Sequence, residues 1–159
     1  MSLRIVRLGA QRHPDEGLRV GTVRRPPRGV AKQDYARRDF FDVWLPLLAP
    51  SEALLHEAKA AGAVRAADAV NAAGPDERSW RRFVRKFRSE MKQPDAARTL
   101  DLLAALSHAM QLSVGCYCAD EAHCHRSILR ELLTERGATL VAGDTPPPAT
   151  PPFSPKPAL

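Results

Sequence analysis

Leu112-Ser-Val-Gly-Cys-Tyr-Cys-Ala-Asp-Glu-Ala-His-Cys-His-Arg-Ser-Ile-Leu-Arg-Glu-Leu-Leu133 is the stretch from which the rest of the chain is read. Leu112 to Cys118 has the pattern of a buried strand. From about Cys124, Ile128, Leu129, Leu132 and Leu133 recur at helical spacing. A strand that passes through a polar turn into a helix predicts an α/β domain. In such folds ligands collect where strands end and helices begin, because the first helical amides lack partners and the helix dipole attracts anions. All three cysteines, with His123, His125 and Arg126, fall between Cys116 and Arg126, in this turn.

Side chains alternate along a strand, so Cys116 and Cys118 are expected to point the same way and Tyr117 the other. Cys124, His125 and Arg126 would enter the first turn of the helix. A thiol there should have its pKa lowered below about 8.5 by the dipole and a neighbouring cation. Cys118 and Cys124 are therefore the candidate nucleophiles. His125, or His123, could move a proton near neutral pH. Arg126 is a candidate anion-binding group. The spacing does not match the phosphatase loop, in which cysteine and arginine stand six positions apart. Here Cys118 and Arg126 are eight apart, and Cys124 and Arg126 two. Cys116, Cys118, His123 and Cys124 are the candidate ligands if a zinc ion is held. The absence of a Cys-x-x-Cys pair, and the adjacency of Cys124 and His125, argue against a tetrahedral ion. No cofactor is expected, and zinc stands as an alternative. A redox pair of Cys118 and Cys124, or a merely buried Cys116, are the other readings.

Outward from this stretch, Leu3 to Leu8 and Leu18 to Val23 read as strands joined by a polar loop, Gly9 to Gly17. Arg24-Arg-Pro-Pro-Arg-Gly29 follows. Its prolines stop the strand, and the stiff turn presents Arg24, Arg25 and Arg28 as a second candidate oxyanion site. Phe40 to Pro46 is aromatic and is expected to pack on the core. Ser51 is an N-cap for a helix carrying Leu54, Leu55 and Ala58, and Ala60 to Ala73 reads as a second short helix closed by Gly74-Pro75. In Arg78 to Met91, Trp80, Phe83, Val84, Phe87 and Met91 form one stripe, with arginines and Lys86 on the remaining surface. Pro94 breaks that helix, and Ala96 to Met110 forms another. Gly137 ends the last helix and Thr139 to Ala142 reads as a final strand. Residues 1–142 are thus expected to form one domain. The segment 143–159 has seven prolines and almost no charge, and reads as a flexible tail.

The chain has 159 residues, 44% of them hydrophobic, which suits one globular domain. No apolar run is long enough for a membrane span, and Met1 to Leu8 is interrupted by arginines, unlike a secretory signal. Three clustered cysteines fit thiols in a reducing compartment, so a cytoplasmic location is expected. The formal charge of +6 and a pI near 9.7 favour anionic partners, whether a small molecule, a nucleotide or nucleic acid. No aromatic interleaves the basic face of the 78–91 helix, which weakens base stacking as its role.

Gly17-Leu-Arg-Val-Gly-Thr-Val-Arg24, Pro27-Arg-Gly29, Asp42-Val-Trp-Leu45, Ala49-Pro-Ser51 and Cys116 through Cys124-His-Arg126 together resemble the bacterial family named domain of unknown function 488, from about Leu3 to Gly137. The resemblance implies a compact α/β domain with a central, mostly parallel sheet flanked by helices and a site at the strand C-terminal ends. It implies no established reaction. Cys124, His125, Arg126 and Arg24 match the family pattern. Many relatives carry Cys-x-Glu in the strand, where this chain has Cys118 in place of the glutamate. Many also carry an acidic residue before the arginine of the second strand, where this chain has Val23. Asp120 or Glu121 would have to supply any carboxylate chemistry. The chain is therefore expected to bind an anionic, phosphate- or nucleotide-like molecule in a Cys/His/Arg pocket, with thiol chemistry on it. A nucleic-acid binding module and a regulatory or metal-binding protein are the alternatives.

Overall fold

The computed structural model describes residues 1–63 and 76–141. Four strands, β1 (Leu3–Arg7), β2 (Leu18–Gly21), β3 (Val43–Trp44) and β4 (Leu112–Cys116), form one sheet in the order β1-β4-β2-β3, and every pairing is parallel. The helices are α1 (Glu52–Ala60), α2 (Glu77–Glu90), α3 (Pro94–Leu106) and α4 (His125–Glu135), with short 3-10 turns at Lys32–Asp34 and Pro46–Leu48. β4 lies between β1 and β2, with Val114 beside Ile5 on one flank and Val20 on the other. Flanked on both edges, β4 is buried along its whole length, which is why it reads as a continuous apolar run.

Leu3, Ile5, Val20, Leu112 and Val114 share one face of the sheet and pack in a single core with Leu54 and Ala58 of α1, Phe83 and Phe87 of α2, Leu100 and Leu103 of α3, and Ile128, Leu129, Leu132 and Leu133 of α4. Each fully buried Leu or Ile contributes roughly 1.5–3 kcal/mol over leaving it in water. The four α4 residues thus fix that helix, and with it the turn that precedes it. Alternate strand residues face the other way and are covered by loop. Phe41 lies so close over Gly21 that a Cβ there would sit 2.4 Å from the ring. Gly17, at φ +70°, lets the chain enter β2 where a Cβ would be 2.1 Å from the Gln111 carbonyl oxygen.

Several boundaries differ from the sequence reading, each for a local reason. β4 ends at Cys116, not Cys118, because the sheet edge is reached there. Val43 and Trp44, within the stretch expected to pack on the core, form the edge strand β3 and stay exposed. The Trp44 indole N–H donates to the Val23 carbonyl at 2.8 Å, and Phe41 takes the buried position. Pro94 does not merely follow α2. It is the first residue of α3, where its missing N–H costs nothing. α3 stops at Leu106, four residues before Met110, as the Ser107 hydroxyl turns back to the Ala104 carbonyl. The final strand is a single parallel bridge between Leu3 and Leu140. Gly137 ends α4's turn at φ +78°. Of the second helix expected over Ala60 to Ala73, Ala60 is instead the last residue of α1 and 61–63 form a turn with Gly62 at φ +68°; the rest of it, Gly74-Pro75 and the proline-rich segment from 143 lie outside the described residues. Among the described residues, no helix is long and apolar enough to cross a membrane.

Candidate functional site

Because all four strands run the same way, the ends of β1, β2 and β4 meet at one edge of the sheet, and the start of α4 lies against it. Cys124 caps α4 in an extended conformation (φ −124°, ψ 149°), and its side chain caps no helical amide. His125 is already helical. This change of backbone conformation between neighbours lets two consecutive side chains converge: Cys124 Sγ is 3.8 Å from His125 Nδ1. The far side of the ring is anchored, with Nε2 2.7 Å from the Thr22 carbonyl oxygen just beyond β2. A carbonyl only accepts, so Nε2 carries the proton and Nδ1 faces the sulfurs. Phe87 of α2 meets the ring edge-on at 5.6 Å. Cys116, the last residue of β4, completes a set whose ligand atoms all lie within 4.8 Å of one another. Cys118 follows, its Sγ 3.7 Å from that of Cys116. Cys116, Cys124 and His125 are buried, and Cys118 is partly open to solvent.

The group shares its protons unevenly. For Cys124, burial opposes ionisation, but hydrogen bonds from Cys116 and Cys118 and the charge of His125 hold the thiol well below its usual value. For Cys116, its hydrogen bond with Cys118 acts downward, yet its bond to Cys124, burial and the Cys124 charge push it up to about 12. Cys118 is raised by its hydrogen bonds to Cys116 and Cys124 and by burial. Burial opposes protonation of His125, but the Cys124 thiolate and the Thr22 carbonyl raise its pKa. Negative charge therefore concentrates on Cys124, with two thiols and an imidazole turned toward it.

Arg126, the second residue of α4, is only 3% exposed. One terminal nitrogen donates to the Cys118 carbonyl at 2.7 Å, while its Nε is buried without a partner. The cluster thus joins Cys116, Cys118, Cys124, His125 and Arg126. The other candidates are engaged elsewhere. Arg24 donates to the carbonyls of Ala49 (2.9 Å) and Pro50 (3.0 Å), tying the end of β2 to the entry of α1. Arg25 pairs with Glu52 at the surface, and Arg28 is exposed. Glu121 forms a fork with Arg130 of α4 (2.7 Å), and Asp120 closes the turn onto the Ala122 amide and His123. His123 leans edge-on against Trp80, away from the sulfurs it was grouped with.

Several polar groups outside this cluster were given no role from the sequence. Glu16 and Arg19 form an ion pair 1% exposed on each side, which also binds the Ser113 hydroxyl (2.6 Å) and the carbonyls of Ala10 and Asp39. Glu16's carboxyl is pulled upward by burial but held below its ordinary range by hydrogen bonds from Arg19 and Ser113. Asp42 accepts both terminal nitrogens of Arg12 and the Arg19 amide. No local signal marked them, since Glu16 sits in a polar loop and Arg19 at an alternate strand position that would ordinarily face water. The Thr22 carbonyl is a backbone group and leaves no trace in residue identity.

A family model described as the active DUF488-N3 subclade, DUF488-N3a, matches residues 3–137. No curated protein and no solved structure matches the chain. The matched span runs from the first residue of β1 to the glycine that ends α4, and it includes every member of the cluster. By that match this chain belongs to the DUF488-N3a family, the active DUF488-N3 subclade.

Proposed function

We propose that the C-terminal edge of the sheet binds an anionic small molecule, phosphate-bearing or nucleotide-like, and that the protein acts on it chemically. The observation that carries this reading is Arg126. A guanidinium buried at the start of a helix, with one nitrogen on a carbonyl and Nε unpaired, holds donor capacity that an oxyanion would complete. The first amides of α4, uncapped by Cys124, add to the same attraction. The description of the matched subclade as active supports chemistry on the ligand rather than retention alone. Cys118 is the thiol of the cluster in contact with solvent, and its carbonyl already holds Arg126.

A nucleic-acid surface has less support. Of the cations on α2, Arg81 pairs with Glu77, Lys86 with Glu57, and Arg88 with Glu131 and Glu135, so much of that face is already neutralised. Calorimetric titration with inorganic phosphate and with nucleoside mono- and diphosphates tests the reading. Arg126→Met should weaken binding by about ten- to a hundredfold, the worth of a hydrogen bond to a charged group. Arg25→Ala should leave it unchanged. If Arg126→Met binds these ligands as the natural chain does, or if none of them binds, the reading fails.

A further inference from the structure

We propose that Cys116, Cys118, Cys124 and His125 hold one zinc ion in a tetrahedral set of three sulfurs and one nitrogen. This is independent of the anion site, since Arg126 contributes no ligand. Zinc–sulfur bonds of about 2.3 Å and zinc–nitrogen bonds of about 2.0–2.1 Å give tetrahedral edges of roughly 3.8 Å between sulfurs and 3.6 Å between sulfur and nitrogen. Two edges of the cluster are 3.7 Å, Cys116 Sγ to Cys118 Sγ, and 3.8 Å, Cys124 Sγ to His125 Nδ1. Cys116, Cys124 and His125 offer ligand atoms within 4.8 Å of one another, so these three close on an ion by contracting about 1 Å at their widest, while Cys118 lies outside that group and must turn in from its place 3.7 Å from Cys116.

Two further features fit a ligand set better than four isolated side chains. The first is His125. Its Nε2–H is held by the Thr22 carbonyl at 2.7 Å, which fixes the ring and aims the lone pair of Nδ1 at the sulfurs. Ligating histidines are oriented in this way by a partner on the far nitrogen. The second is the backbone at Cys124. Adjacency with His125 counted against a shared ion in the sequence, but the extended cap followed by a helical residue brings both donors to one point. Three thiolates and an imidazole are soft ligands that select zinc over magnesium or calcium. Cys118 supplies the third sulfur. It is also the only one of the four ligands partly open to solvent, so it is the one that exchanges most readily.

The full-length chain, purified without added metal and dialysed, should carry about one zinc per chain by elemental analysis. Replacement by cobalt should give the strong visible bands of a tetrahedral thiolate site, bleached by added zinc. Cys118→Ser, at the partly open position, should keep the fold by circular dichroism but weaken zinc by about tenfold or more, with reduced thiolate-to-cobalt absorption. Cys124→Ser should take up no cobalt. The proposal is overturned if the folded natural chain binds well under one equivalent of zinc and cobalt, if three thiols react freely in excess zinc, or if two of them are joined as a disulfide. It is also overturned if Cys118→Ser leaves both affinity and spectrum unchanged. Phosphate binding that persists in zinc-free protein would leave the anion site standing, so the two readings fail separately.

Discussion

Near the start of β4, Ser113 joins a closed ionic network with Glu16 and Arg19; at the end of the same strand, Cys116 meets Cys118, Cys124 and His125. Both groups are buried and polar. In the first, the Arg19 guanidinium is met by carboxylate and carbonyl oxygens, and Glu16 by the guanidinium, a hydroxyl and the His13 amide. In the second, sulfurs face one another and the Nε of neighbouring Arg126 has no partner. A network whose members satisfy one another holds loops in place. A group with unmet capacity is held ready for something that is not protein. The first holds the loops that cover one face of the sheet, and the second is the site we propose.

That contrast breaks most sharply at Arg19. Arg19→Met leaves Glu16 buried without its counter-charge, and urea unfolding should show a loss of about 3–5 kcal/mol. Acid sharpens the same point. Because Glu16's pKa is lowered on folding, its contribution is present above the unfolded value near 4.5 and is lost as pH falls through the lower folded value. The urea midpoint of the natural chain should therefore drop in acid. In Arg19→Met the isolated carboxyl would have a raised pKa, so that variant should instead gain stability as pH falls below neutrality.

Gly21→Ala comes next. Its new methyl meets the Phe41 ring at 2.4 Å, and thermal unfolding should report a loss of about 1–3 kcal/mol. Arg126→Met tests the other group with a much smaller effect. Removing the unpartnered Nε offsets the loss of the bond to the Cys118 carbonyl, so urea stability should change by less than about 1 kcal/mol, while anion binding weakens by about ten- to a hundredfold. A large loss of stability there would make Arg126 a structural residue like Arg19. The smallest effect belongs to Arg25→Ala, whose exposed pair with Glu52 should be worth less than about 0.5 kcal/mol in the same measurement.

Much of the fold was legible because its elements are set by local pattern. The apolar run of β4, the α2 stripe from Trp80 to Phe87, and the α4 leucines each state their own structure and buried face. The two-residue β3 was missed because Val43 and Trp44 are exposed at the sheet edge, and an edge strand that short carries no alternation to read. At the site, the cysteines, His125 and Arg126 were found because they lie close in sequence. The arginines of the 24–28 turn were grouped with them by residue type. The hydrogen bonds of Arg24 and Arg25 run to Ala49, Pro50 and Glu52, contacts that depend on where α1 docks.

By itself, then, the sequence determined the α/β class, the strand-turn-helix at the centre, the family, and the residues that compose the Cys/His/Arg turn, because periodicity and short-range motifs are written along the chain. Tertiary structure alone decided which side chains face one another. It put the Thr22 carbonyl behind His125, turned His123 out against Trp80, and buried Glu16 with Arg19. Those choices depend on the docking of segments up to about a hundred residues apart, and no local pattern encodes the direction in which a polar side chain finds its partner.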